Sequence, residues 1–285
     1  MKVAFVGLGV MGAPMAGHLV AAGHDVVGFN RGAGKTTTWV EKYGGQGAES
    51  LAQAGAGREI IALCVGADSD VREVVESMLE ALTPGTILVD HTTTSASLAR
   101  EMAALVQKRG CHFLDAPVSG GQAGAEKGQL SVMVGGEEVA CAAAEPIIRA
   151  YAKAVRRMGG SGAGQLTKMV NQICIAGVVQ GLAEAVAFAA RAGLDPGLVY
   201  DAVSQGAAQS WQMDNRWATM ARGEFDFGFA VDWMRKDLGL VLAEARANGA
   251  RLEVTALVDQ FYAEVQALGG RRWDTSSLAA RLQAR

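Results

Sequence analysis

The sequence predicts an α/β fold, in which an N-terminal doubly wound sheet is followed by an all-α C-terminal domain. Over the first half of the 285 residues, short apolar runs alternate with helical segments, whereas from Gly164 onward only helical periodicity is present. A glycine-rich turn also follows the first apolar run directly. We therefore expect one domain at residues 1–163 and a second at residues 164–285.

The predicted strands of the first domain are short and almost continuously apolar. In chain order they cover residues 2–6, 25–30, 59–65, 86–90, 111–115, 129–136 and 154–159. Strands without polar alternation are typical of parallel sheets that are buried on both faces. Helical segments between the first five strands supply the crossovers, and the last two strands complete the sheet.

The second domain contains five predicted helices. They cover residues 165–192, 196–204, 209–220, 232–247 and 253–267. Residues 173–194 come nearest to a membrane span, but Gln180, Glu184 and Arg191 interrupt the apolar run. We therefore expect no membrane association, and a homodimer or homotetramer that covers the apolar face of this helix.

Composition argues against several kinds of partner and site. The formal net charge is −3 and the isoelectric point is near 5.9, so no basic surface indicates nucleic acid or anionic lipid. The four cysteines are widely spaced and form no C-x-x-C pair, which is typical of a reduced protein without a metal site. The N-terminal apolar run is too short for a signal peptide. We expect a cytoplasmic protein.

The segment GLGVMG follows the first predicted strand and opens a helix, the context in which G-x-G-x-x-G predicts a Rossmann-type dinucleotide site. The predicted cofactor-binding loop comprises Gly7, Leu8, Gly9, Val10, Met11 and Gly12. Gly7 permits the tight turn, Gly9 lets the backbone approach a pyrophosphate, and Gly12 allows close packing of helix on strand. Backbone N–H groups and the helix dipole would stabilise the phosphates. The alternative is a glycine-rich turn with only a structural role.

The end of the second predicted strand bears on the choice of dinucleotide. An NAD site usually has Asp or Glu here, to bind the ribose hydroxyls. This chain has Asn30 and Arg31, with Lys35 four residues further on. The two cations would pair with a 2′-phosphate, and Asn30 would not repel it, so NADP is favoured and NAD remains possible. The alternative is that both cations are ordinary solvated charges.

Two later strand ends should also contact the cofactor, because ligands bind beyond the carboxyl ends of parallel strands. We expect Val65 to pack on the nicotinamide ring and Thr93 to hydrogen-bond its ribose. His91 is a possible catalytic base, but it adjoins Asp90 in a turn, and a structural role is favoured.

The segment DAPVSGGQAGAEKG, at residues 115–128, follows the fifth predicted strand. Its small residues expose backbone N–H groups that form an anion-binding concavity, in which Ser119, Gly120 and Gly121 would hold a carboxylate. The alternative is a flexible surface loop.

Lys168 and Asn171 begin a long apolar helix and, being three residues apart, share one face of it. Burial among apolar neighbours should lower the pKa of this lysine, which could then donate a proton to a carbonyl or accept one from an alcohol. The Asn171 amide could hold substrate or orient the ammonium group. The alternative is a lysine that extends to solvent from the helix start.

Four segments, in this order, resemble those of a known family. They are GLGVMGAPMA, DAPVSGGQAGA, GAGQLTKMVNQ and KDLGL, at residues 7–16, 115–125, 162–172 and 236–240. Over essentially its whole length the chain resembles the β-hydroxyacid dehydrogenases, which include 3-hydroxyisobutyrate dehydrogenase and tartronate semialdehyde reductase. The resemblance implies a Rossmann domain, a long interdomain helix and an all-α domain that often forms the subunit interface.

The same resemblance implies roles for particular residues. It assigns catalysis to Lys168 with help from Asn171, the substrate carboxylate to Ser119, Gly120 and Gly121, and a place near cofactor and substrate to Lys236. The Asn30–Arg31 pair is similar to that of NADP-preferring members. The chain departs from the family at HTTTSA, residues 91–96, where a Ser-Thr pair and a proline are usual, and Thr93 is the matching threonine.

We therefore predict an NAD(P)-dependent enzyme, with NADP favoured, that moves a hydride between nicotinamide and a short 3-hydroxy acid or semialdehyde. Its partner would be a small carboxylate-bearing substrate. An imine-reductase-like activity is an alternative, although imine reductases often carry Asp or Tyr at the Lys168 position. A dinucleotide-binding module without catalysis is another. Decarboxylation like that of 6-phosphogluconate dehydrogenase is disfavoured, because the chain is short and has no basic cluster for a sugar phosphate.

Overall fold

The computed structural model describes residues 1–283 and confirms the predicted fold class, since a helix-covered sheet is followed by helices only. The chain divides into two compact units, Met1–Lys168 and Met169–Arg285. The division falls inside the helix Ala163–Arg191. The domain boundary at residues 163/164 stays a prediction.

The sheet of the first unit contains nine strands. They are β1 (Lys2–Val6), β2 (Asp25–Phe29), β3 (Gln46–Gly47), β4 (Ile60–Leu63), β5 (Ile87–Asp90), β6 (His112–Asp115), β7 (Val118–Ser119), β8 (Leu130–Gly135) and β9 (Ala152–Gly159). Their order is β3-β2-β1-β4-β5-β6-β8-β7, with β9 paired to β8. All seven predicted strands form. The two additional strands, β3 and β7, have two residues each, too few to show a periodic pattern.

The expected parallel arrangement holds from β1 to β6 and fails at β8. This strand is antiparallel to β6 and β7, and parallel to β9. A parallel connection needs a crossover of a dozen or more residues, and the segment 120–129 between β7 and β8 is shorter. Apolar patterning does not encode strand direction, so the sequence could not reveal this reversal.

Strand β1 explains why the strands lack polar alternation. Val3 and Phe5 belong to one apolar cluster, and Ala4 and Val6 belong to another on the opposite face of the sheet. All four side chains are buried. A strand that is covered on both sides gains from apolar residues at every position.

Seven α-helices surround the sheet. They are α1 (Gly12–Ala21), α2 (Ala33–Tyr43), α3 (Leu51–Gly55), α4 (Asp68–Met78), α5 (Ala96–Gln107), α6 (Gly121–Glu126) and α7 (Glu138–Ile148). The Ser95 hydroxyl accepts a hydrogen bond from the Leu98 N–H and so caps α5. Gly44 ends α2 in the left-handed conformation, where glycine carries no Cβ penalty.

The second unit is helical. Its elements are the larger part of α8 (Ala163–Arg191), then α9 (Pro196–Val203), α10 (Trp211–Arg222), α11 (Val231–Asn248), α12 (Glu253–Ala267), the 3₁₀ segment Thr275–Ala279 and α13 (Ala280–Gln283). The five predicted helices form, with Asp195 and Ser210 capping α9 and α10 through side-chain oxygens. The 3₁₀ segment and α13 were not predicted, because both are too short for a helical period.

Helix α8 is the one helix among residues 1–283 that is long and apolar enough to cross a membrane. It has 29 residues and an 18-residue window with a mean hydropathy of 1.9, of which 39% is buried. Core helices of soluble proteins share these properties, so this is weak support for a membrane span. Val170, Val178 and Phe188 are large exposed apolar side chains on this helix. The expected homo-oligomer stays a prediction.

Candidate active site

The glycine turn after β1 has no room for a Cβ atom at two of its positions. Gly7 has φ +97°, and a Cβ there would lie 2.1 Å from the Cys64 carbonyl oxygen. A Cβ on Gly12 would lie 1.9 Å from the Gly7 oxygen and 2.9 Å from Cε1 of Phe5. At Gly9, by contrast, a Cβ would meet no atom within 4 Å. Gly7 and Gly12 therefore close the turn onto the sheet, while Gly9 borders open space.

Asn30 joins the end of β2 to this turn. Its Oδ1 accepts a hydrogen bond from the Leu8 N–H at 3.1 Å, and its own N–H donates to the Thr36 hydroxyl at 3.1 Å. The side-chain amide also donates to the Gly32 carbonyl at 3.3 Å. An amide at this position thus organises the loop and brings no negative charge to it.

Arg31 and Lys35, the two cations predicted to pair with a 2′-phosphate, lie at an exposed rim beside Asn30. The side chain of Arg31 is 83% exposed, and its Nη1 lies 3.6 Å from Oδ1 of Asp70. Asp70 is fixed in the first turn of α4, where its Oδ2 accepts a hydrogen bond from the Ala67 N–H at 3.0 Å. Lys35 is exposed in the first turn of α2. Asp70 was not predicted from the sequence, because nothing local indicates that it faces Arg31.

His91, just beyond β5, is a buried structural residue. Its Nδ1 donates to the Ala116 carbonyl at 2.7 Å, so Nε2 accepts from the Tyr151 hydroxyl at 2.8 Å. Burial lowers the pKa of His91 to about 4, so the imidazole is neutral at physiological pH. The favoured structural role agrees with this geometry, since both ring nitrogens already have protein partners.

The two predicted nicotinamide contacts lie in neighbouring loops. The Val65 N–H donates to the Thr92 hydroxyl at 3.0 Å, which connects the loop after β4 to the loop after β5. Val65 and Thr93 are both half-buried. The fold therefore brings together the ends of β4 and β5, as parallel neighbours require.

A buried carboxylate holds the beginning of α8. Asp115, the last residue of β6, accepts hydrogen bonds from the N–H groups of Gly162 at 2.7 Å and Gln165 at 2.9 Å. Burial raises the pKa of Asp115, and these N–H groups oppose the rise. A Cβ on Gly164 would lie 2.4 Å from the Met133 carbonyl oxygen, so glycine permits this close approach of helix and sheet.

A buried amide continues the same connection. Nε2 of Gln165 donates to the Thr92 carbonyl at 2.7 Å, and its Oε1 accepts from the Thr94 N–H at 3.0 Å. These two hydrogen bonds bracket Thr93. Lys168 follows one helical turn later and is 8% exposed. Neither Asp115 nor Gln165 was predicted as a site residue, although both lie within the segments that resemble the family.

The predicted carboxylate-binding segment begins at the end of β7. Gly120 has φ +132° and Gly121 has φ +60°, a backbone path that favours glycine at both positions. Ser119 is half-buried and both glycines are exposed. The anion-binding role of Ser119, Gly120 and Gly121 stays a prediction.

The second unit contains another chain of polar contacts. The Asn171 amide donates to Oε1 of Gln172 at 2.8 Å, and the Gln172 amide donates to Oδ2 of Asp237 at 2.7 Å. Nζ of Lys236 lies 3.2 Å from Oδ1 of the same carboxylate. Asn171 and Lys236 are thus connected through Gln172 and Asp237, which are both buried and were not predicted. Among residues 1–283, no group of three or more His, Cys, Asp and Glu could hold a metal ion.

Comparisons with known proteins match the chain throughout. One family model, the NAD binding domain of 6-phosphogluconate dehydrogenase, matches residues 2–160, and another, the NAD-binding of NADP-dependent 3-hydroxyisobutyrate dehydrogenase, matches residues 162–282. An uncharacterized oxidoreductase of Shewanella frigidimarina is 60% identical, over 99% of this chain and 98% of that protein. The 2-hydroxy-3-oxopropionate reductase of Escherichia coli is 34% identical, over 99% and 97% respectively. The solved structure of Mycobacterium tuberculosis 3-hydroxyisobutyrate dehydrogenase with L-serine has a TM-score of 0.91 and 32% identity, covering 100% of both chains.

Proposed function

This chain belongs to the β-hydroxyacid dehydrogenase family of NAD(P)-dependent oxidoreductases, and from that premise we propose that it transfers a hydride between NADP and a short 3-hydroxy acid or semialdehyde. The family, the enzyme class and the use of a nicotinamide dinucleotide were predicted from the sequence and are confirmed. The preference for NADP, the substrate and the catalytic residues make up the proposal.

The observation that carries the proposal is the buried Lys168, one turn beyond a helix start that is held at the ends of β5 and β6. When bound, the nicotinamide supplies or takes up the hydride. Nζ of Lys168 donates a proton to the carbonyl oxygen in the reductive direction and accepts one from the hydroxyl in the other. The expected lowering of its pKa stays a prediction.

The proposed substrate is a short acid with an oxygen on C3. Ser119 and the N–H groups of Gly120 and Gly121, two exposed glycines with positive φ, would bind its carboxylate, which leaves C3 for reaction. The E. coli and M. tuberculosis relatives are named for compounds of this kind. Asn171 and Lys236, which share the Gln172–Asp237 connection, are proposed to contact substrate, and Lys236 also the cofactor.

The cofactor proposal assigns the pyrophosphate to Gly7, Leu8, Gly9, Val10, Met11 and Gly12. The open space at Gly9 and the Leu8–Asn30 hydrogen bond support it. Arg31 and Lys35 would pair with a 2′-phosphate, while Thr93 would bind the nicotinamide ribose and Val65 would pack on the ring. Asp70 is a fixed anion beside Arg31 and should make the preference for NADP moderate rather than strict. We also propose a cytoplasmic homodimer or homotetramer.

The proposal is tested by following nicotinamide absorbance with short 3-hydroxy acids, the matching aldehyde acids and their methyl esters. NADP and NAD are compared in parallel, and the Lys168→Ala variant serves as the blank. We expect turnover of the free acids with a preference for NADP, and little turnover of the esters, because these lack the carboxylate. L-serine and 3-hydroxyisobutyrate belong in the panel, given the compounds named for the M. tuberculosis relative.

Two results would contradict the proposal, and each would indicate a different function. Cofactor binding without turnover of any compound would indicate a dinucleotide-binding module without catalysis. Reduction of cyclic imines without turnover of the hydroxy acids or aldehyde acids would indicate an imine reductase.

A further inference from the structure

We propose that Gln165 is a positioning residue for the reaction, because one buried side chain fixes the backbone on both sides of Thr93 and lies one turn before Lys168 on α8. The inference rests on the proposed function, in which Thr93 contacts the cofactor and Lys168 transfers the proton. It adds a residue that touches neither substrate nor cofactor and acts through these two.

The side-chain amide of Gln165 uses both of its ends on backbone groups. Its NH₂ group donates to the Thr92 carbonyl at 2.7 Å, and its oxygen accepts from the Thr94 N–H at 3.0 Å. We call this pair of hydrogen bonds the Gln165 bridge. The bridge constrains the two peptide groups that flank Thr93, and so it fixes the direction in which the Thr93 side chain leaves the loop.

The backbone of Gln165 is fixed as well. Its N–H donates to Oδ2 of Asp115 at 2.9 Å, and Oδ1 of that carboxylate accepts from the Gly162 N–H at 2.7 Å. Lys168 is three residues further along α8, a rise of about 4.5 Å on the same side of the helix. A shift of the bridge would therefore move the loop and the proton donor relative to each other.

The chemistry of the bridge exceeds what packing alone requires. Gln165 is fully buried, and a buried amide is costly unless both its donor and its acceptor are satisfied. An apolar side chain of similar volume would fill the same space without that requirement. The amide instead specifies one register between residues 92–94 and α8.

The Gln165→Glu variant separates the packing of this side chain from its hydrogen bonding, because a change of pH alters only the hydrogen bonding. As a carboxylic acid the new side chain keeps one donor and one acceptor, so it can form both bonds of the bridge. As a carboxylate it loses the donor and places a negative charge against the Thr92 carbonyl. Burial disfavours the charged form, so the pKa of the new carboxyl should be raised and its titration should fall within an accessible pH range.

Charged and titratable side chains lie on the elements that meet at the start of α8. Asp90 is the last residue of β5 and His91 follows it, Asp115 ends β6, and Lys168 lies on α8. On α5, Nε of Arg100 lies 3.2 Å from the place that a Cβ on Gly162 would take. The two carboxylates raise the pKa of a new acid, and the ammonium form of Lys168 and the Arg100 guanidinium lower it. His91 is neutral because its own pKa is about 4. Burial and the carboxylates act in the same direction, so the acid form should dominate at the lower end of the range.

The experiment measures kcat, KM and cofactor Kd for wild type and Gln165→Glu from about pH 5.5 to about pH 8.5. We expect the kcat ratio of variant to wild type to be about 0.1 or lower at the alkaline end and to recover as the pH falls. In Gln165→Met, which lacks the acceptor oxygen, the Thr94 amide should exchange its hydrogen faster than in wild type, with or without cofactor. Gln107→Glu, the same change at an exposed site on α5, is the matched control and should leave every value unchanged.

Gln165→Met keeps the volume and removes both bonds, so its kcat should fall at every pH without recovery. This variant also tests the inference if Gln165→Glu does not fold. Wild-type kcat in the folded Gln165→Met variant, or a kcat ratio for Gln165→Glu that does not change with pH, would overturn the inference. The proposed function fails by a different result, namely normal turnover in Lys168→Ala.

Discussion

The glycine turn at residues 7–12 and the start of α8 at residues 162–168 are built in opposite ways. The turn is closed by the absence of side chains, because a Cβ on Gly7 or Gly12 would overlap backbone. The start of α8 is held by buried polar side chains. Asp115, at the end of β6, accepts from two N–H groups at the helix start, and the Gln165 side chain bonds to backbone groups just beyond β5. The first region is therefore sensitive to added volume, and the second to a lost hydrogen-bond partner.

The largest difference in stability is expected between two single alanine substitutions in the turn, Gly7→Ala and Gly9→Ala. Gly7→Ala should lower the free energy of unfolding by more than about 3 kcal/mol, because the new Cβ meets the Cys64 carbonyl and φ is positive. Gly9→Ala should change it by less than about 0.5 kcal/mol while raising the Kd of the cofactor about ten-fold or more. Urea denaturation and fluorescence titration with the reduced cofactor measure the two quantities. Equal destabilisation by both substitutions would contradict the distinction between the two glycines.

The second prediction concerns buried hydrogen bonds near β5. The pKa of His91 is lowered from 6.5 to about 4, so folding favours the neutral imidazole. The stability that this contributes is fully present above pH 6.5 and is lost as the pH falls from 6.5 through 4, because protonation then opposes burial. The loss corresponds to about 3 kcal/mol. The stability advantage of wild type over His91→Gln should shrink by that amount between about pH 7 and about pH 4, as measured by urea denaturation. A pH-independent difference between the two proteins would show that His91 is not the group that titrates.

The smallest effect is expected at the exposed rim beside the turn. Asp70→Asn should lower the Kd of NADP about two- to five-fold and leave the Kd of NAD unchanged, because a 2′-phosphate would no longer compete with the carboxylate for Arg31. Glu73→Gln, an exposed charge change on the same helix, is the control. The effect should vanish in the Arg31→Ala background. Weaker NADP binding by Asp70→Asn would instead mean that Asp70 orients Arg31 for the phosphate.

The turn was predictable from sequence because its determinants are local. Gly7, Gly9 and Gly12 stand at fixed spacing after an apolar strand, and each backbone requirement belongs to the glycine itself. The strand and helix order was predictable for the same reason, since periodicity is a property of neighbouring residues. The family was predictable because four such local segments occur in order, and the family models and relatives confirm it.

The hydrogen-bond network at α8 could not be predicted in the same way. Gln165 pairs with backbone groups 71 and 73 residues away, and Asp115 accepts from N–H groups 47 and 50 residues away. The Gln172–Asp237 contact spans 65 residues. No local pattern encodes such pairings, so these residues were assigned no individual role. The direction of β8 and the two-residue strands escaped prediction because pairing partners, not periodicity, define them.

The central claim, that Lys168 transfers the proton, is tested most directly by kcat and cofactor Kd for Lys168→Ala. Loss of a general acid should lower kcat about 10²- to 10⁴-fold, leave the cofactor Kd within about two-fold, and allow partial rescue by an added small primary amine. Lys108→Ala, an exposed lysine on the first unit, is the control. A kcat for Lys168→Ala within a few-fold of wild type would contradict the account.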